Sequence, residues 1–132
     1  ATVISHEIAH ALARHGAERM SSASVQQGIQ TLGNVVLAVG APSYQNVFNQ
    51  AYGIGSQIGV MLPYGRMQES EADEIGIYLM HKAGYNMQEA LKFWENMSEG
   101  KTDTNEFLST HPSSSTRIED IKKVIVKVQS QP

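Results

Sequence analysis

His6-Glu7-Ile8-Ala9-His10 combines two imidazoles and a carboxylate at a spacing that suits metal chemistry. Histidines four apart on an α-helix lie about 40° apart around the axis, so both rings point the same way. Two imidazoles on one face can share a zinc ion. A glutamate beside the first can act as general base toward a water activated there. The competing reading is a surface helix that carries two histidines by accident, so further ligands have to be found elsewhere in the chain.

The helix that must present these residues is expected from about Thr2 to Met20. Ile4, Ile8 and Leu12, with Ala11 beside them, form its apolar stripe. His15, five residues after His10, points away from the pair. A second helix is expected over about Ser24–Val39, with Val25, Ile29, Leu32, Val36 and Val39 in register. Gly28 and Gly33 either weaken it or allow close packing. A third is expected over about Tyr44–Met61, and Leu62-Pro63-Tyr64-Gly65 reads as a break. A helix from Arg66 to Ala83 ends at Gly84. A helix over Met87–Ser98 follows, with Asn86 and Glu89 as its capping pair. A polar loop at Glu99–Thr104 precedes a short turn at Asn105–Leu108. An extended link through His111-Pro112 then leads to a last helix over Ser113–Val128. No strand or internal repeat is evident, so the chain reads as mainly α and as a single domain over 1–132.

Composition narrows the chemistry. The 132 residues carry a net charge of −3, and cysteine is absent. Any metal must therefore be held by nitrogen and oxygen, and no nucleic-acid footprint is expected. The longest apolar stretch, Leu32–Ala41, is shorter than the ~20 residues that span a bilayer.

A catalytic zinc uses three protein ligands and keeps a fourth position for water. A third ligand on the first helix is excluded, because Ala13 and Gly16 stand where a glycine and a histidine would have to be. The helix from Arg66 offers Glu69-Ser70-Glu71-Ala72-Asp73. Glu69 and Asp73 share a face, whereas Glu71 lies about 200° from Glu69. Spacing alone does not choose between Glu69 and Glu71. A partner at Asp73, able to fix the free ring nitrogen of His6, favours Glu69. An acidic, solvated first turn is the alternative.

Three blocks, HEIAHALARHGAERM, RMQESEADEIGIYLMHKAGYNMQEALKFWENM and FLSTHPSSSTRIEDIKK, resemble zinc peptidases of metallopeptidase family forty-eight in content and order. The segment from Ser24 to Tyr64 carries little that is diagnostic. The family pattern, HExxH followed by ExxxD, maps onto His6, Glu7 and His10, then Glu69 and Asp73. The resemblance implies a gluzincin-type, zincin-like catalytic domain. Most of its small β-sheet is expected in a region before the motif helix, with this chain as a fragment that starts at that helix. It also implies Zn2+ as cofactor and a protein or peptide as substrate. His111 would lie over the zinc, either as donor to the oxyanion or as a ligand that closes the site. Arg117 would point at the site or pair with Glu119 or Asp120.

The expected function is zinc-dependent endopeptidase activity in quality control or processing at the bacterial cell envelope, periplasmic or membrane-associated. Membrane attachment of the parent protein and homo-oligomerisation are open alternatives. The substrate-aligning sheet edge is expected upstream of the motif, so this fragment alone is expected to be weakly active or inactive. A zinc-bound, autoinhibited chaperone or assembly module and a metal-free helical interaction domain are the other classes in play.

Overall fold

A computed structural model describes residues 1–100, 105–112 and 114–130, with backbone only at 105 and 106. It contains α1 (Thr2–Leu12), α2 (His15–Gly40), a 3-10 turn (Pro42–Tyr44) and α3 (Gln45–Ser56). A π-helical turn (Gln57–Met61) leads into α4 (Leu62–Lys82), followed by α5 (Gln88–Ser98), α6 (Asn105–Thr110) and α7 (Ser115–Gln129). No strand occurs among the described residues. Two compact units are distinguished: Ala1–Ala13 with Gln68–Pro132, and Arg14–Met67.

The first unit holds α1, α4 from Gln68 onward, α5, α6 and α7. Its core is Ile77 and Met80 of α4, Ala90, Trp94 and Met97 of α5, and Ile121, Ile125 and Val128 of α7. The i, i+4, i+7 spacing of the α7 residues makes one buried stripe. The α7 lysines stay outside: Lys123 pairs with Asp120, and Lys127 pairs with Glu74. At the α1 side the contact is made by small residues. Ala9 and Ala72 are fully buried. A Cβ placed on Gly76 would lie 3.3 Å from the backbone nitrogen of His6 and 3.3 Å from the carbonyl carbon of Ser5. Absence of a side chain there lets the α1 backbone rest on α4.

The second unit is a helical hairpin whose inner seam is polar. Asn34 and Asn49 exchange amide hydrogen bonds at 2.8 and 2.9 Å. Gln30 donates to Asn49 at 2.9 Å, Gln45 donates to the Asn34 carbonyl at 3.0 Å, and Tyr52 donates to Gln26. The Phe48 ring covers Gly33 and leaves no room for a Cβ, while Gly28 faces open space. Gly33 is thus a packing glycine, and Gly28 is not.

Several sequence expectations are corrected. The expected helix over Thr2–Met20 ends at Leu12, and α2 begins at His15. Arg14 takes the left-handed conformation (φ 60) that glycine would take without strain. No local breaker announces that corner. Pro63 does not interrupt the chain. It sits in the first turn of α4, directly after a widened π turn, where a missing N–H is tolerated. Asn86 caps the Gln88 N–H, but Glu89 pairs with Lys92 instead of closing a capping box. His111 is not part of an extended link. α6 runs to Thr110, and the His111 N–H still donates to the Phe107 carbonyl. The final helix starts after Ser114, whose hydroxyl caps the Arg117 N–H. The expected start at Ser113 and the loop positions 101–104 lie outside the described residues.

The α1–α4 contact generates a test. A Gly76→Val side chain must push the α1 backbone away, so we expect a loss of about 1–3 kcal/mol in urea unfolding followed by Trp94 fluorescence. Gly76→Ala should cost less. Unchanged stability in both would show that this close approach is not limiting.

Candidate metal centre

α1 presents His6 and His10 from successive turns toward Glu69 at the start of the buried part of α4. His6 is 2 % exposed and Glu69 7 %, so these polar groups must satisfy one another. His10 Nε2 lies 3.0 Å from His6 Nε2. Glu69 Oε2 is 3.2 Å from His6 Nε2, and its Oε1 is 3.2 Å from His10 Nε2. The end of α6 brings His111 into the same group, with Nδ1 at 2.9 Å from Glu69 Oε2 and 3.3 Å from His6 Nε2. One ligand atom from each of His6, His10, Glu69 and His111 falls within a 4.8 Å cluster.

These separations suit a metal. A zinc ion about 2.0–2.1 Å from each of four donors has donor–donor edges of roughly 3.3–3.4 Å. Three imidazole nitrogens and a carboxylate at such distances are a borderline-hard donor set without thiolate, as zinc accepts. Hydrogen bonding alone accounts poorly for the grouping, because neutral imidazoles that converge on one point cannot all be donor and acceptor correctly.

Electrostatics favour a cation. Burial pushes the Glu69 carboxyl up, but hydrogen bonds from His111 and His6, with the charges of His111 and Arg117, hold it well below the usual carboxylate range. Burial likewise disfavours the charged form of His6. The close carboxylates of Asp73 and Glu69 outweigh this and raise its pKa. Glu69 and Asp73 with Arg117 sum to one net negative charge before the imidazoles are counted, which a divalent cation would reverse.

Asp73 stands behind His6, with Oδ1 2.9 Å from Nδ1. The ring N–H does not aim squarely at that oxygen, leaving Nδ1 without an aligned hydrogen bond. The contact is close and charge-complementary, and it orients the ring with Nε2 toward the cluster. Glu7 lies at the exposed rim, its Oε1 3.1 Å from His111 Nε2. Glu71, the alternative from spacing, is exposed. His15 is buried but is not in the metal-ligand group.

Arg117 is the organising residue that spacing left undecided. It is 6 % exposed. Its Nη2 donates to Asp73 Oδ1 at 2.8 Å, and its Nε donates to Asp73 Oδ2. Its Nη1 donates to the Pro112 carbonyl at 3.0 Å and lies 3.2 Å from Glu69 Oε2. The guanidinium rests on the Trp94 ring, 3.6 Å from its centroid. It does not pair with its neighbours in sequence, and Asp120 is taken by Lys123. Phe107, one helical turn before His111, stacks on that ring at 4.6 Å between centroids. The i, i+4 spacing of Phe107 and His111 was a usable signal. Nothing local marked Trp94 as the base under Arg117.

Because Arg117 pairs with two buried carboxylates, Arg117→Met should cost about 3–5 kcal/mol at neutral pH in denaturant unfolding. Arg117→Met combined with Asp73→Asn should cost less than the two single changes summed. Strict additivity would show that the two side chains act independently.

Comparison with known proteins finds a family and several relatives. The profile of "Peptidase family M48" matches residues 1–125. The mitochondrial metalloendopeptidase OMA1 of Saccharomyces cerevisiae is 38% identical over 96% of this chain and 36% of its own length. The human metalloendopeptidase OMA1, mitochondrial, is 31% identical over 93% of this chain and 25% of its own. The beta-barrel assembly-enhancing protease of Escherichia coli K12 is 28% identical over 92% and 26%, respectively. The chain thus spans about a third or less of the relatives it matches, and no solved structure matches it. With the match running from the histidine pair through the Glu69 helix to α7, the chain belongs to peptidase family M48.

Proposed function

We propose that the chain serves, as one catalytic domain, in a zinc metalloendopeptidase that hydrolyses peptide bonds of protein substrates. The observation that carries this is the convergence of His6, His10 and Glu69 at separations of 3.0–3.2 Å, with Glu7 beside them on α1. Bound there, zinc would supply Lewis acidity and bring the pKa of a water toward about 7. Glu7 would take the proton from that water and pass it to the departing amine. Asp73 and Arg117 would hold the ligand side chains in place.

His111 closes the site in the arrangement described here. Its Nδ1 takes a place in the ligand cluster, and its Nε2 faces Glu7. As a fourth donor, His111 would compete with water for a zinc held by His6, His10 and Glu69, and its other nitrogen faces Glu7. This favours an autoinhibited resting state, as in the reading of an assembly or chaperone module with a closed zinc site. Swung away, the same imidazole could donate to an oxyanion.

The names of the relatives point to two settings, mitochondrial and β-barrel assembly. We place the parent protein in quality control or processing at a bacterial envelope, periplasmic or membrane-associated, or in its mitochondrial counterpart. Self-association is compatible with either.

Two measurements test the reading. Zinc should be found near one per chain, and Glu7→Gln should keep the zinc while casein cleavage disappears. Cleavage that persists in Glu7→Gln would sink the peptidase assignment. His111→Ala should raise casein cleavage severalfold over wild type. A fall instead would assign His111 to the oxyanion and not to closure.

A further inference from the structure

His6, His10 and Glu69 are placed by the close contact of α1 with α4, but His111 reaches them from a different support. It follows α6, a helix of six residues, too short to hold its shape without packing. Phe107 and Leu108 of α6 are partly buried against the core of the first unit. The Phe107 carbonyl accepts from the His111 N–H at 2.9 Å and from the Thr110 hydroxyl at 3.1 Å. The backbone thus ties His111 to Phe107, one helical turn before it.

Their rings are joined as well. The Phe107 ring lies on the His111 imidazole with an interplanar angle of 27° and 4.6 Å between centroids. His6 and His10 meet the same imidazole at 84° and 50°, edge-on and tilted, so it is Phe107 that covers a face. Phe107 is itself held by Trp94 at 5.9 Å and Phe93 at 6.1 Å, both on α5. An aliphatic side chain would serve if filling the core were its whole role. A near-parallel aromatic pair also constrains the plane of the ring it covers. The polar contacts of His111, Nδ1 to Glu69 and Nε2 to Glu7, run along the edge of that ring. Edge and face are therefore held by different groups.

We propose that Phe107 is a positioning residue: its ring holds the His111 imidazole in the plane from which it reaches both Glu69 and Glu7, and so sets how often His111 occupies that place. The consequence for catalysis rests on the reading of His111 as a fourth donor that competes with water at zinc. One aromatic pair of this kind shifts an equilibrium by about two- to tenfold. Phe107 therefore biases the position of His111 and does not lock it. Through Trp94 and Phe93 the bias is anchored in the packing of α5.

Two readouts on the full chain test this. The first needs no metal and no variant. In NMR of the metal-free protein, NOEs should connect the Phe107 ring protons to the His111 ring protons. Their absence overturns the proposal. The second uses acetohydroxamate as a probe for the coordination position of zinc that His111 would take. Phe107→Leu should bind it about two- to tenfold more tightly than wild type, and Phe107→Tyr, which keeps the ring face, should match wild type. Phe93→Leu, which loosens the same cluster without removing the stacked ring, should gain less than Phe107→Leu. In a His111→Ala background, Phe107→Leu should add nothing. Equal affinity in wild type and Phe107→Leu, or an equal gain in Phe93→Leu, overturns the proposal. A chain that takes up no zinc would instead sink the metal reading, and the NOEs would still decide the role of Phe107.

Discussion

The candidate metal centre depends on how closely α1 can approach α4. Gly76 leaves the backbone at Ser5 and His6 with no side chain to clear, and Ala9 and Ala72 fill the remaining contact with single methyl groups. The helix carrying both histidines is therefore fixed against the helix carrying Glu69 by backbone geometry, not by long side chains with rotamers to choose. Three donors that must meet within a few tenths of an ångström need that rigidity, since a ligand set on loosely packed elements would not hold one coordination geometry.

Behind this contact is a charge network of limited size. Two buried carboxylates would be costly if isolated. Arg117 answers both, and it also grips the Pro112 carbonyl beside His111. A guanidinium is suited to this because its planar fork reaches Asp73 twice while its face rests on Trp94. A lysine ammonium, a point charge without that fork, could not match both Asp73 oxygens and also stack on Trp94. The core tryptophan thereby becomes part of the site's support, linking α5 packing to the placement of residues on α4 and α7.

How much of this was legible in the sequence follows from how local each feature is. His6, His10, Glu69 and Asp73 sit at fixed spacings within single helices, so periodicity alone placed them on common faces. The α1–α2 corner was not legible, because Arg14 adopts a left-handed conformation without the glycine that normally marks it. Pro63 misled in the other direction, since a π turn before it lets the helix continue. His111 was seen as a loop residue over the site, yet it ends a helix, and its helical position is what sets Phe107 against its ring. Arg117 was left undecided because its partners lie 44 residues away in Asp73 and across the core in Trp94. Single-sequence periodicity carries no information at that range.

The two nitrogens of His111 face two different acids, Glu69 through Nδ1 and Glu7 through Nε2. One imidazole thus latches the ligand set and the rim carboxylate together. Because one ring carries both contacts, the position of the Phe107–Pro112 segment bears on a buried carboxylate and a rim carboxylate at the same time.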